Sequence, residues 1–533
     1  MAPETPGRAP VLYANTRFRT LDPSYPTAEA LLVEEGRIVA LGDYPSLSAH
    51  APAGTRTADL DGLTVLPGLT DSHIHTASLG RALDEVDLRG TLTADEALAR
   101  VAGFSAGLEP GRWVFGGWWD FNKWKVPVQP DLRGLDAVCP NNPVALTSAD
   151  GHTMWANSLA LAAVGIEATT PDPAGGEIVR FSDGRPRGIL REAALFPLRE
   201  LANSPLSGDL PGQLQAVQER LLSVGITSIH DIDGADCLEG YRRLRTEGHL
   251  ALRVHKLLSI AELDAAIEAG TRTGDGDEWI RTGAVKIFSD GAIGSHTCHM
   301  SEPFPGEDGN YGIAVTEYAE LIDLAGRAAA AGIAVASHAI GDQANHNVLR
   351  AYQEIKEVSQ RHNLRHRIEH AQFLQPQDIA MMARLGAVAS MQPTHCTSDL
   401  PLMRLIEGRN LAAYAWRSML DAGVPLAFGS DAPVEEPDPF AGIHAAITRQ
   451  GSSGEPAGGW MPSERISAAE AVRAYTTGAA YASGEEHVKG RLSPGMLADF
   501  IAVDVDPFTA PADEILETTV HSAVVDGVFR YRR

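Results

Sequence analysis

The sequence predicts an α/β protein: a (β/α)8 TIM barrel, a small composite β-sandwich formed by both termini, and a large cap insertion after the first barrel strand. Three observations predict it. Apolar strand-like runs at 63–71, 225–231, 251–258, 283–289, 332–338, 366–370, 386–392 and 425–430 make eight. Helical stretches such as the Ala-rich run from Thr316 to Ala331 separate most of them, and strand–helix alternation of this kind builds a parallel sheet that eight repeats close into a barrel. Polar residues end several runs, which favours a barrel over an open doubly wound sheet, because barrel strand ends surround one mouth.

The remaining elements follow in chain order. Residues 11–66 read as short strands with turns, among them Val11-Leu-Tyr-Ala14, Ala30-Leu-Leu-Val-Glu34 and Arg37-Ile-Val-Ala-Leu-Gly42. The far end repeats that character in Asp499-Phe-Ile-Ala-Val-Asp504 and Ser522-Ala-Val-Val-Asp-Gly-Val-Phe529. Two β-rich ends around an alternating middle predict one sandwich, 1–65 plus 485–533, beside a barrel at 66–484. Residues 76–224 interrupt the barrel rhythm and hold five of the eight tryptophans. An insertion after strand one is expected over the C-terminal mouth, as a cap supplying an aromatic substrate wall from Trp118, Trp119 and Trp124. Packing inside the cap is the other reading of those rings.

Bulk properties narrow the function. A chain of 533 residues is too long for one compact core. No run of 18 apolar residues suggests a membrane span, and the polar, Pro-rich start lacks the regions of a signal peptide. Four widely spaced cysteines fit a reducing cytoplasm and no cysteine-type metal site. A net charge of −25 argues against nucleic acid or anionic membrane as partner. The expected partner is a small molecule, with a homodimer an ordinary possibility.

The chemistry is carried by six residues. His73 and His75 sit in Pro67-Gly-Leu-Thr-Asp-Ser-His-Ile-His75, and second neighbours on a strand share a face. Lys286 lies in strand four, and His338, His370 and Asp431 end strands five, six and eight. Strand ends of one barrel converge on one mouth. Nitrogen and carboxylate donors without thiolate suit zinc, and also manganese, iron or nickel. Lys286 is the odd member, since an ammonium repels a cation. As a carbamate formed with carbon dioxide it would be an anion with two oxygens, able to bridge two cations; as a plain lysine it would need a partner in the barrel wall.

With these residues in place the chain resembles the amidohydrolase superfamily of metal-dependent hydrolases, specifically the amidohydrolase-3 branch that includes the N-substituted formamide deformylases. The resemblance runs from Ala30 to Val525. It rests on the strand-one motif together with Ser148-Ala-Asp-Gly-His152, Lys286-Ile-Phe-Ser-Asp-Gly291, Ser337-His-Ala-Ile-Gly-Asp342, Arg367-Ile-Glu-His-Ala-Gln372, Ser390-Met-Gln-Pro-Thr-His395, Gly429-Ser-Asp-Ala-Pro433 and Pro494-Gly-Met-Leu-Ala-Asp499. It implies that His73, His75, Lys286, His338, His370 and Asp431 bind one or two divalent metals, zinc foremost, with a plain and an N6-carboxylated Lys286 both compatible. His296 and Gln343 stand where arginine is common in the branch, which would lower preference for anionic substrates if they face the mouth.

The reaction expected of such a site is hydrolysis of an amide C–N bond by metal-activated hydroxide. Asp431 takes the water proton and returns it to the leaving amine. His152 helps to polarise the carbonyl, and His395 contacts substrate. His230 and Asp231 are candidates to orient a ligand. Esters, lactones, cyclic amides or a decarboxylation are alternatives on the same metal site. A non-catalytic binding protein would need a broken ligand set, and all six positions are present.

Overall fold

The structure, a computed structural model, describes residues 9–83, 85–121, 124–148, 153–173, 176–202, 210–294 and 296–533. It divides into two compact units: one comprising the chain up to Thr76 together with Val217–Arg533, the other Ala77–Ala216.

The first unit holds a parallel eight-stranded sheet in sequential order. Its strands are β1 (Leu69–Ile74), β2 (Ile226–Asp231), β3 (Arg253–Ser259), β4 (Ile280–Phe288), β5 (Val335–Ala339), β6 (Arg367–His370), β7 (Val388–Met391) and β8 (Leu426–Phe428). These strands are almost wholly buried and rich in Val, Ile, Leu and Ala, as strands covered on both faces must be. The ring closes just past the strand ends, where Asp431 N–H donates to His73 O at 2.7 Å and His75 N–H to Ala432 O at 3.0 Å. Closure is tight at Gly429, where a Cβ would stand 2.5 Å from His73 N. Only glycine lets β8 come that close to β1.

The first predicted run, 63–71, is two strands. Thr64–Pro67 pairs antiparallel with Phe500–Val503, and the barrel strand starts at Leu69. Two sheets of terminal strands result. One contains Val11–Ala14, Ala30–Glu34, Arg37–Gly42 and Arg56–Asp59. The other joins Arg17–Arg19, Thr27–Ala28 and Thr64–Pro67 to Phe500–Val503, Val520–Val525 and Val528–Arg532. Tyr13 and Phe18 meet Phe500 edge-on inside this sandwich, at centroid distances of 4.8 and 6.2 Å. Asp499 ties it to the barrel. Its carboxylate grips buried Arg253 at the start of β3, with Nη2 to Oδ1 at 2.9 Å, and accepts Asp526 N–H at 2.9 Å.

The second unit is built on a six-stranded mixed sheet, ordered Gly176–Arg180, Pro186–Glu192, Thr153–Ala156, Val144–Ser148, Val114–Trp119 and Val86–Asp87. Its core gathers Trp119, Trp124 and Trp155 with Val101, Leu135 and Ile189. Val114–Trp119 carries a bulge at Gly117/Trp119. Gly117 takes φ +137, and a Cβ there would meet Thr147 O at 2.0 Å.

Candidate active site

The six residues meet at the C-terminal end of the barrel. Ligand atoms of His73, His370 and Asp431 all lie within 4.8 Å of one another. Asp431 Oδ1 stands 3.3 Å from His73 Nε2 and 3.4 Å from His75 Nε2. His338 packs edge-on against His370 with centroids 4.6 Å apart. Together with Lys286 these residues line a cavity of about 360 Å³. Two of them have left-handed backbone, His370 at φ +72 and Asp431 at φ +61, a strained conformation that concentrates at functional sites.

Carboxylates set the two strand-one imidazoles. Glu369 Oε2 accepts the Nδ1–H of His73 at 2.6 Å, and Asp233 Oδ1 accepts that of His75 at 2.9 Å. Each ring thereby turns its Nε2 to the cavity, the arrangement that raises ligand basicity. Glu369 is in turn gripped by Arg367 at 2.5 and 3.0 Å. That guanidinium also reaches Ser72 O, Ser390 Oγ at 2.6 Å and His230 Nδ1 at 2.8 Å. The Arg367–Glu369 pair is fully buried and amply hydrogen-bonded, as a buried ion pair must be. Asp71 braces the closure of the ring, accepting Ser430 Oγ–H at 2.6 Å and His73 N–H at 3.1 Å.

The electrostatics follow from burial and carboxylates. Burial, helped by the Lys286 charge, pushes His338 down to about 3, and burial above all holds His370 well below the usual imidazole range. Burial lowers Lys286 to about 8, with Glu369 and Asp431 opposing. For Asp431 burial works upward, but His73, His395 and His75 hold it well below the carboxylate range. Burial opposes charge on His75 and His395, yet their carboxylate partners carry both up to about 9. Those partners are Asp233 and Asp431 for His75, and Asp431 and Glu435 for His395.

The set fits a divalent cation. Lys286 Nζ and His370 Nδ1 are buried without a hydrogen-bond partner, a costly state that calls for an occupant or a modification. The donors are imidazole nitrogens and a carboxylate with no thiolate. A cation there would take the place of the protons that Asp431 holds on its neighbours.

Other expected site residues fall into three groups. His395 joins the site, its Nε2 3.2 Å from Asp431 Oδ2. His152 lies outside the described residues. The aromatic wall needs correction. Trp119 and Trp124 are buried within the insertion's own core, with Nε1 of Trp119 donating to Leu146 O at 2.9 Å, so neither keeps a face free for substrate. Trp118 is thrown outward by the bulge, at φ +63 and 54% exposed. Asp231 is not a ligand's partner either; it accepts Thr76 Oγ1–H at 2.6 Å and supports Asp233 N–H at 2.8 Å. His296 bonds Glu307 and Gln343 bonds Asn347, away from the cavity lining. Sequence reasoning missed Glu369 and Asp233. The alternation Arg367-Ile-Glu369 in a buried strand was a signal for the first, since second neighbours share a face; Asp233 follows its strand and had none.

Known proteins bear on this geometry. The sequence model of the Amidohydrolase family matches residues 56–531. The chain belongs to the amidohydrolase family. It is a hydrolase acting on carbon–nitrogen bonds. This amidohydrolase is 33% identical over 516 residues to Protein LONG AFTER FAR-RED 3 of Arabidopsis thaliana, covering 93% of this chain and 88% of that one. It is 32% identical over 539 residues to the N-substituted formamide deformylase of Arthrobacter pascens, covering 98% of each. Its fold is that of an uncharacterized metal-dependent hydrolase from Pyrococcus furiosus, with a TM-score of 0.77, 29% identity, and coverage of 94% of this chain and 100% of that one.

Proposed function

We propose that this amidohydrolase cleaves N-substituted formamides to formate and an amine. On this reading it uses one or two divalent cations, zinc foremost, held by His73, His75, Lys286, His338, His370 and Asp431. The observation that carries the reading is end-to-end similarity to the Arthrobacter pascens deformylase. The wall beside the carboxylate, with Phe288, Ile293 and Val434, suits an apolar N-substituent.

A divalent cation in such a site supplies Lewis acidity, which makes water acidic near neutral pH and polarises a carbonyl. The chain does the rest. Glu369 and Asp233 keep protons on the Nδ1 atoms of His73 and His75, so both rings face inward through Nε2. Asp431 Oδ2 accepts the proton of the attacking water and returns it to the amine nitrogen as the C–N bond breaks. His395, 3.2 Å from that oxygen, keeps it ionised until it takes that proton. Lys286, desolvated and unpartnered, bonds through Nζ to the carbon of carbon dioxide and loses a proton, leaving a carbamate anion.

Amine release from N-alkyl and N-benzyl formamides, set against the matching acetamides, tests the reading on metal-replete protein. Release from formamides alone is expected. Release from neither, with turnover of cyclic amides or esters, would replace the substrate class.

A further inference from the structure

A second cavity, of about 250 Å³, lies at the N-terminal ends of β3 to β6, at the opposite end of the barrel from Asp431. Six basic side chains line it: His255, Arg272, Arg281, His362, Arg365 and Arg367, and among the described residues no Asp or Glu does. In a chain of net charge −25 such a concentration is out of character.

Some of these cations are already committed. Arg365 forks onto Glu486 at 2.6 and 2.8 Å, and Arg367 is held by Glu369. They add field to the cavity rather than hydrogen bonds. The others are free or only partly committed. Arg272 and His362 form no ion pair among the described residues. Arg281 Nε is buried without a hydrogen-bond partner, and its ion pair with Glu485, at 3.6 Å, shares that carboxylate with Lys489 at 2.8 Å. His255 is 97% buried, since its exposure is 3%, and its Nδ1 also lacks a partner. Buried donors without partners are costly unless something fills the space beside them.

We propose that this cavity binds a small oxyanion of the phosphate type, free or carried on a compact organic group. Guanidinium and imidazole donors arriving from several strands match an anion with oxygens in several directions, which a single carboxylate does not offer. The cavity exceeds an inorganic phosphate, leaving room for a short substituent. Arg272 and Arg281 carry the charge, and His362 supplies a donor at the rim.

Calorimetric titration of metal-replete protein with inorganic phosphate at fixed ionic strength tests this. The expected result is saturable binding of one phosphate per chain, weakened about tenfold or more in Arg281→Gln and in the double variant Arg272→Ser, His362→Ala. The double variant alters only exposed side chains, so its fold is safe, and its turnover should match the parent. Absence of saturable binding up to about 10 mM phosphate overturns the site. So does undiminished binding in the double variant, which would place the phosphate elsewhere, the catalytic cavity included.

Discussion

His73 presents Nε2 to the cavity because Glu369 accepts its Nδ1–H at 2.6 Å, and Glu369 stays ionised because the Arg367 charge outweighs burial. The consequence is testable. Glu369→Gln keeps the shape but removes the charge, and metal affinity should fall about 10- to 100-fold, read by competition with a chromophoric chelator. An unchanged affinity would show that Glu369 serves only packing. Asp431→Asn should lower kcat by at least about a hundredfold, since the amide cannot shuttle the proton. Lys286→Ala should likewise abolish turnover while circular dichroism stays native. Full activity in either variant removes that residue from the mechanism.

At the scale of elements, a buried ion pair helps to join the sandwich to the barrel. Arg253 on β3 is fully buried and satisfied by Asp499 at the end of Pro494-Gly-Met-Leu-Ala-Asp499. Asp499→Ala removes the hydrogen-bonded carboxylate and leaves only Asp526, at 3.9 Å, to face that guanidinium, a loss of about 3–5 kcal/mol. Urea unfolding should show the loss, and a midpoint within error of the parent would refute the clamp. Glu485 and Lys489 form a second buried pair, at 2.8 Å. Burial pushes Glu485 upward, but the Lys489 charge prevails and brings it to about 2 against an ordinary 4.5. A carboxylate lowered on folding stabilises the fold above its unfolded pKa and loses that contribution as pH falls through the folded one. The stability gap between the parent and Glu485→Gln should therefore be constant above about 4.5 and shrink from there toward 2. A gap independent of pH across that window would mean the pair contributes nothing through charge.

At the scale of the whole molecule, the cation site draws on β1, β4, β5 and β6 and on the turn after β8, so a bound cation ties both ends of the barrel sheet together. Ligand that binds only the folded chain raises its stability by mass action. Chelation should lower the melting temperature and added divalent cation should restore it. If stripped and replete protein melt alike, these residues do not share an ion. The four cysteines are free and buried, so no disulfide competes with this effect.

The sequence by itself determined the eight strands, the pairing of the termini and the six convergent residues. Each of these is written in local pattern: apolar runs of strand length and polar residues at their ends. Tertiary structure decided what no local pattern holds. The run 63–71 belongs to two sheets, because Phe500–Val503 claims Thr64–Pro67 from across the chain. Trp119 is core and Trp118 is surface because the bulge at Gly117/Trp119 leaves Trp118 unpaired and turned outward. Asp233 and Glu369 orient His75 and His73 over separations of 158 and 296 residues. Such partners are chosen by proximity after folding, and a hydrogen bond at that distance leaves no spacing in the sequence to read.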